Sequence, residues 1–209
     1  MSPGVFPVPR AEFAIEEPWN LPSVCESVAL VRSHDGGPPR LGSSLSAYYD
    51  DEFVTFLFRG EDDGVVATYR QHDDPLYKED VVELFLSPRR AEEYYEIEVN
   101  PLVTVFDARI ESPQGTRDSM TVDPSWNCDG LFAARRSLVG PGHTFETVVR
   151  IPFRSLAGGV RAGDTWRGNF FRIDRHPDGD EFVAWRPTFR DPPDFHVPKA
   201  FGLLRFLAP

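Results

Sequence analysis

Two carboxylates, an amide and an aromatic side chain fall close together in the middle of this 209-residue chain. Glu83 lies in the run Asp80-Val81-Val82-Glu83-Leu84-Phe85-Leu86, with Tyr77 just ahead of it, and Glu98 and Asn100 lie in Tyr95-Glu96-Ile97-Glu98-Val99-Asn100. Ionised carboxylates accept hydrogen bonds, an amide donates and accepts, and an aromatic plane packs against apolar C–H groups. Such a set can hold the hydroxyls and the C–H face of a sugar ring. A facing carboxylate pair has a second use in glycoside hydrolysis, where retaining enzymes hold theirs about 5–5.5 Å apart and inverting enzymes about 6.5–9.5 Å apart.

The elements that position these residues read as strands. Side chains alternate between the two faces of a strand. Val82, Leu84 and Leu86 then point to a core, and Val81, Glu83 and Phe85 point the other way. In the following run Tyr95, Ile97 and Val99 share one face, and Tyr94, Glu96, Glu98 and Asn100 share the opposite one. An antiparallel pairing sets Glu83 and Glu98 across from each other on a polar face that Tyr77 overhangs. Cross-strand neighbours lie that close without any catalytic role, and a solvated sheet face with scattered charges would show the same pattern.

Beyond this pair, 20 prolines and 16 glycines are spread over the chain and punctuate many short elements. Leu45 to Tyr49 and Phe53 to Arg59 read as a hairpin around the acidic turn Asp50-Asp51-Glu52. Phe132 to Val139 and Phe145 to Ile151 read as a pair around Gly140-Pro141-Gly142. Trp166 to Asp174, Phe182 to Trp185 and Phe201 to Phe206 complete the set. With Ser27 to Arg32, Thr104 to Ile110 and a short strand near Met120, about ten or eleven strands are expected. The fold class is all-β, a two-sheet antiparallel β-sandwich of jelly-roll or immunoglobulin-like type. Residues 1–22 read as an extended arm packed on a single domain, 23–209.

The ordered motifs along the chain resemble a family 9 carbohydrate-binding module. The resemblance rests on Ser46-Ala47-Tyr48-Tyr49-Asp50-Asp51-Glu52-Phe53, on Leu76 to Leu86, and on Tyr95 to Asn100. Ile151-Pro152-Phe153, Gly168-Asn169-Phe170-Phe171-Arg172, Ala184-Trp185 and Phe201-Gly202-Leu203-Leu204 follow. It implies a non-catalytic sandwich that binds ends of cellulose or xylan chains, or oligosaccharides, between two aromatic side chains, with structural Ca²⁺ as a candidate cofactor. By position the walls would be Tyr77 and Trp185, with Glu83 and Asn100 contacting the sugar. A ring held between two aromatic planes needs them roughly 7–8 Å apart. The sequence departs from the family at Tyr77, usually Trp, at Glu98, usually Arg, and at Arg172, which falls on an amide position. Arg172 is therefore expected to bridge the carboxylates of Glu83 and Glu98 in bidentate fashion.

The formal net charge of −11 disfavours phosphate backbones and anionic membranes, so no nucleic-acid or membrane partner is expected. No signal peptide is visible in Met1 to Pro22. As it stands the sequence reads as cytoplasmic, or as secreted or periplasmic if residues precede it, and a monomer is favoured. Cys25 and Cys128 read as separate small thiols, or as a pair in an oxidising compartment. The acidic turns at Asp50-Asp51, Asp62-Asp63, Asp73-Asp74 and Asp178 to Glu181 suit turn formation or a hard cation. The five histidines form no ligand motif, although Met120 with a histidine could serve as axial haem ligands. Trp126 and the Phe195-His196 loop are further candidates for lining a site. The competing readings are an interaction sandwich whose sugar site has degenerated, and a hydrolase using Glu83 and Glu98.

Overall fold

The computed structural model describes residues 4–14, 17–138, 143–156 and 158–208. The expected turn at Gly140-Pro141-Gly142 lies outside the described residues. Fourteen strands are found among those described, somewhat more than the sequence pattern suggests. In chain order they are β1 (Val5–Val8), β2 (Ser27–Ala29), β3 (Val31–Arg32), β4 (Ser43–Tyr49), β5 (Phe53–Glu61), β6 (Val81–Ser87) and β7 (Glu93–Val99). They continue as β8 (Val105–Glu111), β9 (Thr121–Asp123), β10 (Phe132–Leu138), β11 (Thr144–Pro152), β12 (Thr165–Asp174), β13 (Glu181–Ala184) and β14 (Gly202–Phe206).

Nine strands form one sheet, with β1-β14-β12-β6-β7-β8-β9 in a row and β13 and β3 attached beside β12. The other sheet runs β10-β11-β5-β4-β2. Two of the extra strands have plain sources. The expected strand Ser27 to Arg32 breaks at Leu30, so that β2 pairs with β4 in one sheet and β3 with β13 in the other. The N-terminal arm contributes β1, which runs parallel to β14 and buries Phe6 and Val8. This parallel pair departs from the otherwise antiparallel ladders among the named strands. Val65 to Gln71 crosses without strand structure.

Facing apolar side chains of the two sheets form the main core. Leu45, Phe56, Phe58, Val82, Leu84, Leu86, Ile97, Val149 and Phe170 all lie in it. A second, smaller cluster covers the outer face of the nine-stranded sheet, where Phe85, Tyr94, Ala108, Phe171 and Ile173 pack beneath Phe195 and Phe201. The Pro-rich segment after β13 therefore roofs a sheet face that would otherwise meet solvent. Burial of β6 on both faces explains why it reads as a nearly continuous apolar run broken only by Glu83. Cys25 and Cys128 are both free thiols.

Candidate functional site

Register decides what shares the outer face. On β6 and β7, Glu83 is opposite Glu98 and Phe85 is opposite Glu96; on β12 and β6, Phe171 is opposite Glu83. The expected apposition of Glu83 and Glu98 is therefore found, and Glu96 joins them. One carboxylate oxygen from each of Glu83, Glu96 and Glu98 lies within 4.8 Å of the other two. These side chains are buried, with Glu83 only 2% and Glu98 only 1% exposed. Glu83 Oε1 and Glu98 Oε2 are out of contact with solvent and accept no hydrogen bond. Buried polar groups without partners are rare and require a reason.

The triad forms the inner end of a cavity of about 320 Å³. Tyr77, Phe106, Phe182 and Phe195 supply aromatic lining, and Arg117 and Arg175 contribute charge. Arg175 donates to Asp180 and to the Tyr77 carbonyl, which ties the turn Leu76–Lys78 to the end of β12. Arg117 donates to Asp194 at 2.9 Å. Tyr77 is half exposed at the rim. Met120 and His196 meet on one hydroxyl: the Tyr94 oxygen lies 3.8 Å from Met120 Sδ and 2.9 Å from His196 Nδ1.

Burial raises the proton affinity of all three carboxyls. It pushes Glu83 and Glu98 well above the usual carboxylate range, with repulsion from neighbouring carboxylates adding to it. Burial likewise pushes Glu96 up to about 7. His196, whose Nε2 lies 3.7 Å from Glu96, is pushed down to about 4 by burial and so carries no compensating charge at neutral pH. The cavity thus offers carboxyl groups that can both donate and accept.

The other residues expected at the site lie elsewhere. Arg172 is opposite Val82 on β6, which places it on the inter-sheet face, away from Glu83. There it donates to Ser43 Oγ at 3.0 Å, the Glu61 carbonyl at 2.7 Å and Asp174 at 2.7 Å, with its guanidinium over the Phe145 ring. The expected bridge to Glu83 and Glu98 does not form. Trp185 is also on the inner face, because its N–H donates to the Phe170 carbonyl and it follows that residue's parity. Its ring lies 5.6 Å from Phe6 and 5.7 Å from Phe170, over Gly202, where an added Cβ would come within 2.3 Å of it. Tyr77 and Trp185 are therefore not opposing walls. Asn100 is fully buried and closes the turn after β7: its Nδ2 donates to the Tyr69 carbonyl, and its Oδ1 accepts from Leu102 and Thr104.

Glu96, Arg117, Arg175 and Phe182 are among the lining residues absent from the expected set, whereas Phe195 and His196 line the cavity from the loop expected to do so. Glu96 shares parity with Glu98, so alternation alone could have found it. The loop residues carry no such signal. The acidic turns mostly bind within the protein: Asp50 accepts from the Glu52 and Phe53 amides and pairs with Arg150, while Asp62 pairs with Arg135 and Asp63 with Arg40. A second cluster, His72, Asp73 and Asp107, is mostly exposed.

The sequence model of a family described as carbohydrate-binding family 9 matches residues 43–206. No curated protein matches the chain in sequence. Among solved structures, a Bacteroides uniformis protein provisionally named as carbohydrate-binding is similar, with TM-score 0.75 and 20% identity, over 98% of this chain and 100% of that one. A family 9 carbohydrate-binding module from Caldicellulosiruptor kristjanssonii, solved with cellotriose, is similar with TM-score 0.61 and 13% identity, over 99% and 95% of the two chains. The same module solved with glucose gives TM-score 0.61 and 13% identity, over 99% and 97%.

Proposed function

The chain belongs to carbohydrate-binding family 9, whose members are non-catalytic binding modules, and from that premise we propose that it binds a sugar in the outer-face cavity floored by Glu83, Glu96 and Glu98. One observation carries the reading: two buried carboxyl oxygens without partners, one each on Glu83 and Glu98, lie at the inner end of an aromatic-lined cavity. Carboxyls there exchange hydrogen bonds with ring hydroxyls, and Tyr77 offers its plane at the rim. The cavity volume is at the lower end of the range for small-ligand pockets, about 300–1,000 Å³, which suits a terminal sugar unit more than the side of a long polymer. Glucose and cello-oligosaccharide ends are the first ligands to try, because the similar Caldicellulosiruptor module was solved with glucose and with cellotriose.

Three carboxyls whose ionisation is opposed by burial also argue against turnover by a Glu83 and Glu98 pair. A retaining mechanism needs one of its two carboxyls ionised as nucleophile. The test is calorimetric titration of the wild type and Tyr77→Ala with glucose and cellotriose. Binding by the wild type that is weakened by the substitution is the expected result. Undiminished binding by Tyr77→Ala would place the site elsewhere.

A further inference from the structure

We infer that the Glu83, Glu96 and Glu98 triad is a seat for an ammonium group, so that the sugar selected by this cavity is a hexosamine bearing a free amine. The inference rests on the sugar-binding reading of the same cavity and narrows its ligand class.

The geometry suits a tetrahedral donor. An ammonium nitrogen donates three hydrogen bonds and accepts none. Acceptors about 2.8 Å from one nitrogen in tetrahedral directions are themselves about 4.6 Å apart. One oxygen from each glutamate lies within 4.8 Å of the other two, and Glu83 Oε1 and Glu98 Oε2 have no partner. Both side chains are more than nine-tenths buried and line the cavity.

The charge balance points the same way. The two arginines that line the cavity are already engaged: Arg175 by Asp180 and the Tyr77 carbonyl, Arg117 by Asp194. The nearby histidine, His196, shares its Nδ1 hydrogen bond with Tyr94. Three carboxyl groups remain facing the cavity without a cation bonded to them. A buried carboxylate is tolerated when it gains a charged hydrogen-bond partner, and an amine on the ligand supplies one.

A hard divalent cation fits less well. Ca²⁺ takes six to eight oxygen ligands. Beyond the triad the lining is mainly aromatic and aliphatic carbon, two guanidinium groups, and an Asp194 already paired with Arg117. An ammonium needs only the three acceptors present, and the carbon lining suits the ring that carries it.

The experiment is calorimetric titration at neutral pH with D-glucosamine, D-glucose and N-acetyl-D-glucosamine, using the wild type, Glu96→Gln and Tyr77→Ala. Glucosamine should bind about tenfold or more tightly than the other two, the scale of one added charge-assisted hydrogen bond. Glu96→Gln should shrink that preference, lowering glucosamine affinity by a larger factor than glucose affinity. Tyr77→Ala should weaken glucosamine and glucose alike. Glucose bound as tightly as glucosamine overturns the ammonium seat and leaves the sugar reading standing. No binding of any of the three removes both. A parallel titration with Tb³⁺ covers the remaining occupant: saturable binding that Glu96→Gln abolishes, and that glucosamine fails to displace, assigns the triad to a metal ion and overturns the inference.

Discussion

Two buried polar clusters lie on opposite sides of the nine-stranded sheet, and they differ in how their charges are matched. On the inner face, Arg172 binds Asp174, Asp174 also binds Arg40, and Arg135 binds Asp62. The Arg172 guanidinium has further acceptors in Ser43 and Glu61. On the outer face, Glu83, Glu96 and Glu98 crowd together with no bonded cation and with two oxygens unsatisfied. A matched cluster is complete within the protein and acts on the fold. An unmatched one is completed from outside, by protons or by ligand. The comparison separates structural from functional burial on grounds that do not depend on the family.

Its strongest test is to break the matched cluster. Arg172→Met strands Asp174 in a site where its side chain is 3% exposed. Removing one partner of a buried pair costs about 3–5 kcal/mol, and denaturant unfolding should show a loss of that order, softened to the extent that Arg40 still holds Asp174. Sugar affinity of the folded protein should not change. A loss of affinity at unchanged stability would assign Arg172 to the site after all. Trp185→Ala should behave similarly, since truncating a buried aromatic costs about 3–5 kcal/mol.

The unmatched cluster should reveal itself in pH dependence. Glu96 is held at about 7 in the fold by burial, above its ordinary carboxyl range, with Glu83, Glu98 and the neutral His196 facing it. At low pH both folded and unfolded chains keep the proton, and the fold bears no penalty. As pH rises from the ordinary carboxyl range towards 7, the unfolded chain ionises first, so stability falls. Glu83 and Glu98 are shifted in the same direction and extend the loss upward. The Tm of the ligand-free protein should drop by several degrees between pH 5 and 8, since about 1 kcal/mol moves it by about 2–4 °C at this chain length. Glu83→Gln should flatten that slope. A slope unchanged by the substitution would mean that the triad is satisfied by groups other than its own protons.

The rim offers the reverse pattern. Tyr77 is 50% exposed and should contribute little to stability. Tyr77→Ala should leave Tm nearly unchanged while weakening sugar binding about tenfold, about 1.4 kcal/mol. Equal losses in both would make Tyr77 a structural residue.

Strand order within the chain was legible because alternation and the Pro and Gly punctuation act locally. The apposition of Glu83 and Glu98 was legible for the same reason, since consecutive strands joined by a short connection pair directly. What alternation on one strand cannot supply is its phase against a distant strand. Phe170, Arg172 and Asp174 do share a face, but only the pairing of Arg172 with Val82 shows that it is the inner one. Trp185 ends β13, and its side depends on the ladder with β12 and on the space above Gly202. Phe195 and His196 reach the site on a loop that carries no periodicity. The break at Leu30 that sends β2 and β3 to different sheets is likewise a tertiary outcome.

The smallest effect concerns the balance at the cavity mouth. Arg117 lines the cavity and is 61% exposed, with Asp194 as its partner. Exposed pairs contribute little to stability, so Asp194→Asn should leave Tm nearly unchanged. It would, however, leave the Arg117 charge unmatched beside the triad. A cationic sugar would then meet added repulsion at the mouth, and a neutral one would not. Glucosamine affinity should fall by about two- to threefold at low ionic strength, the size expected of a partly screened surface charge, and recover as salt is raised. Glucose affinity should stay constant across the same series. A fall shared by both sugars would mean that Asp194 shapes the loop holding Phe195 and His196, with which it is contiguous, and that the match between Arg117 and Asp194 serves geometry instead of charge.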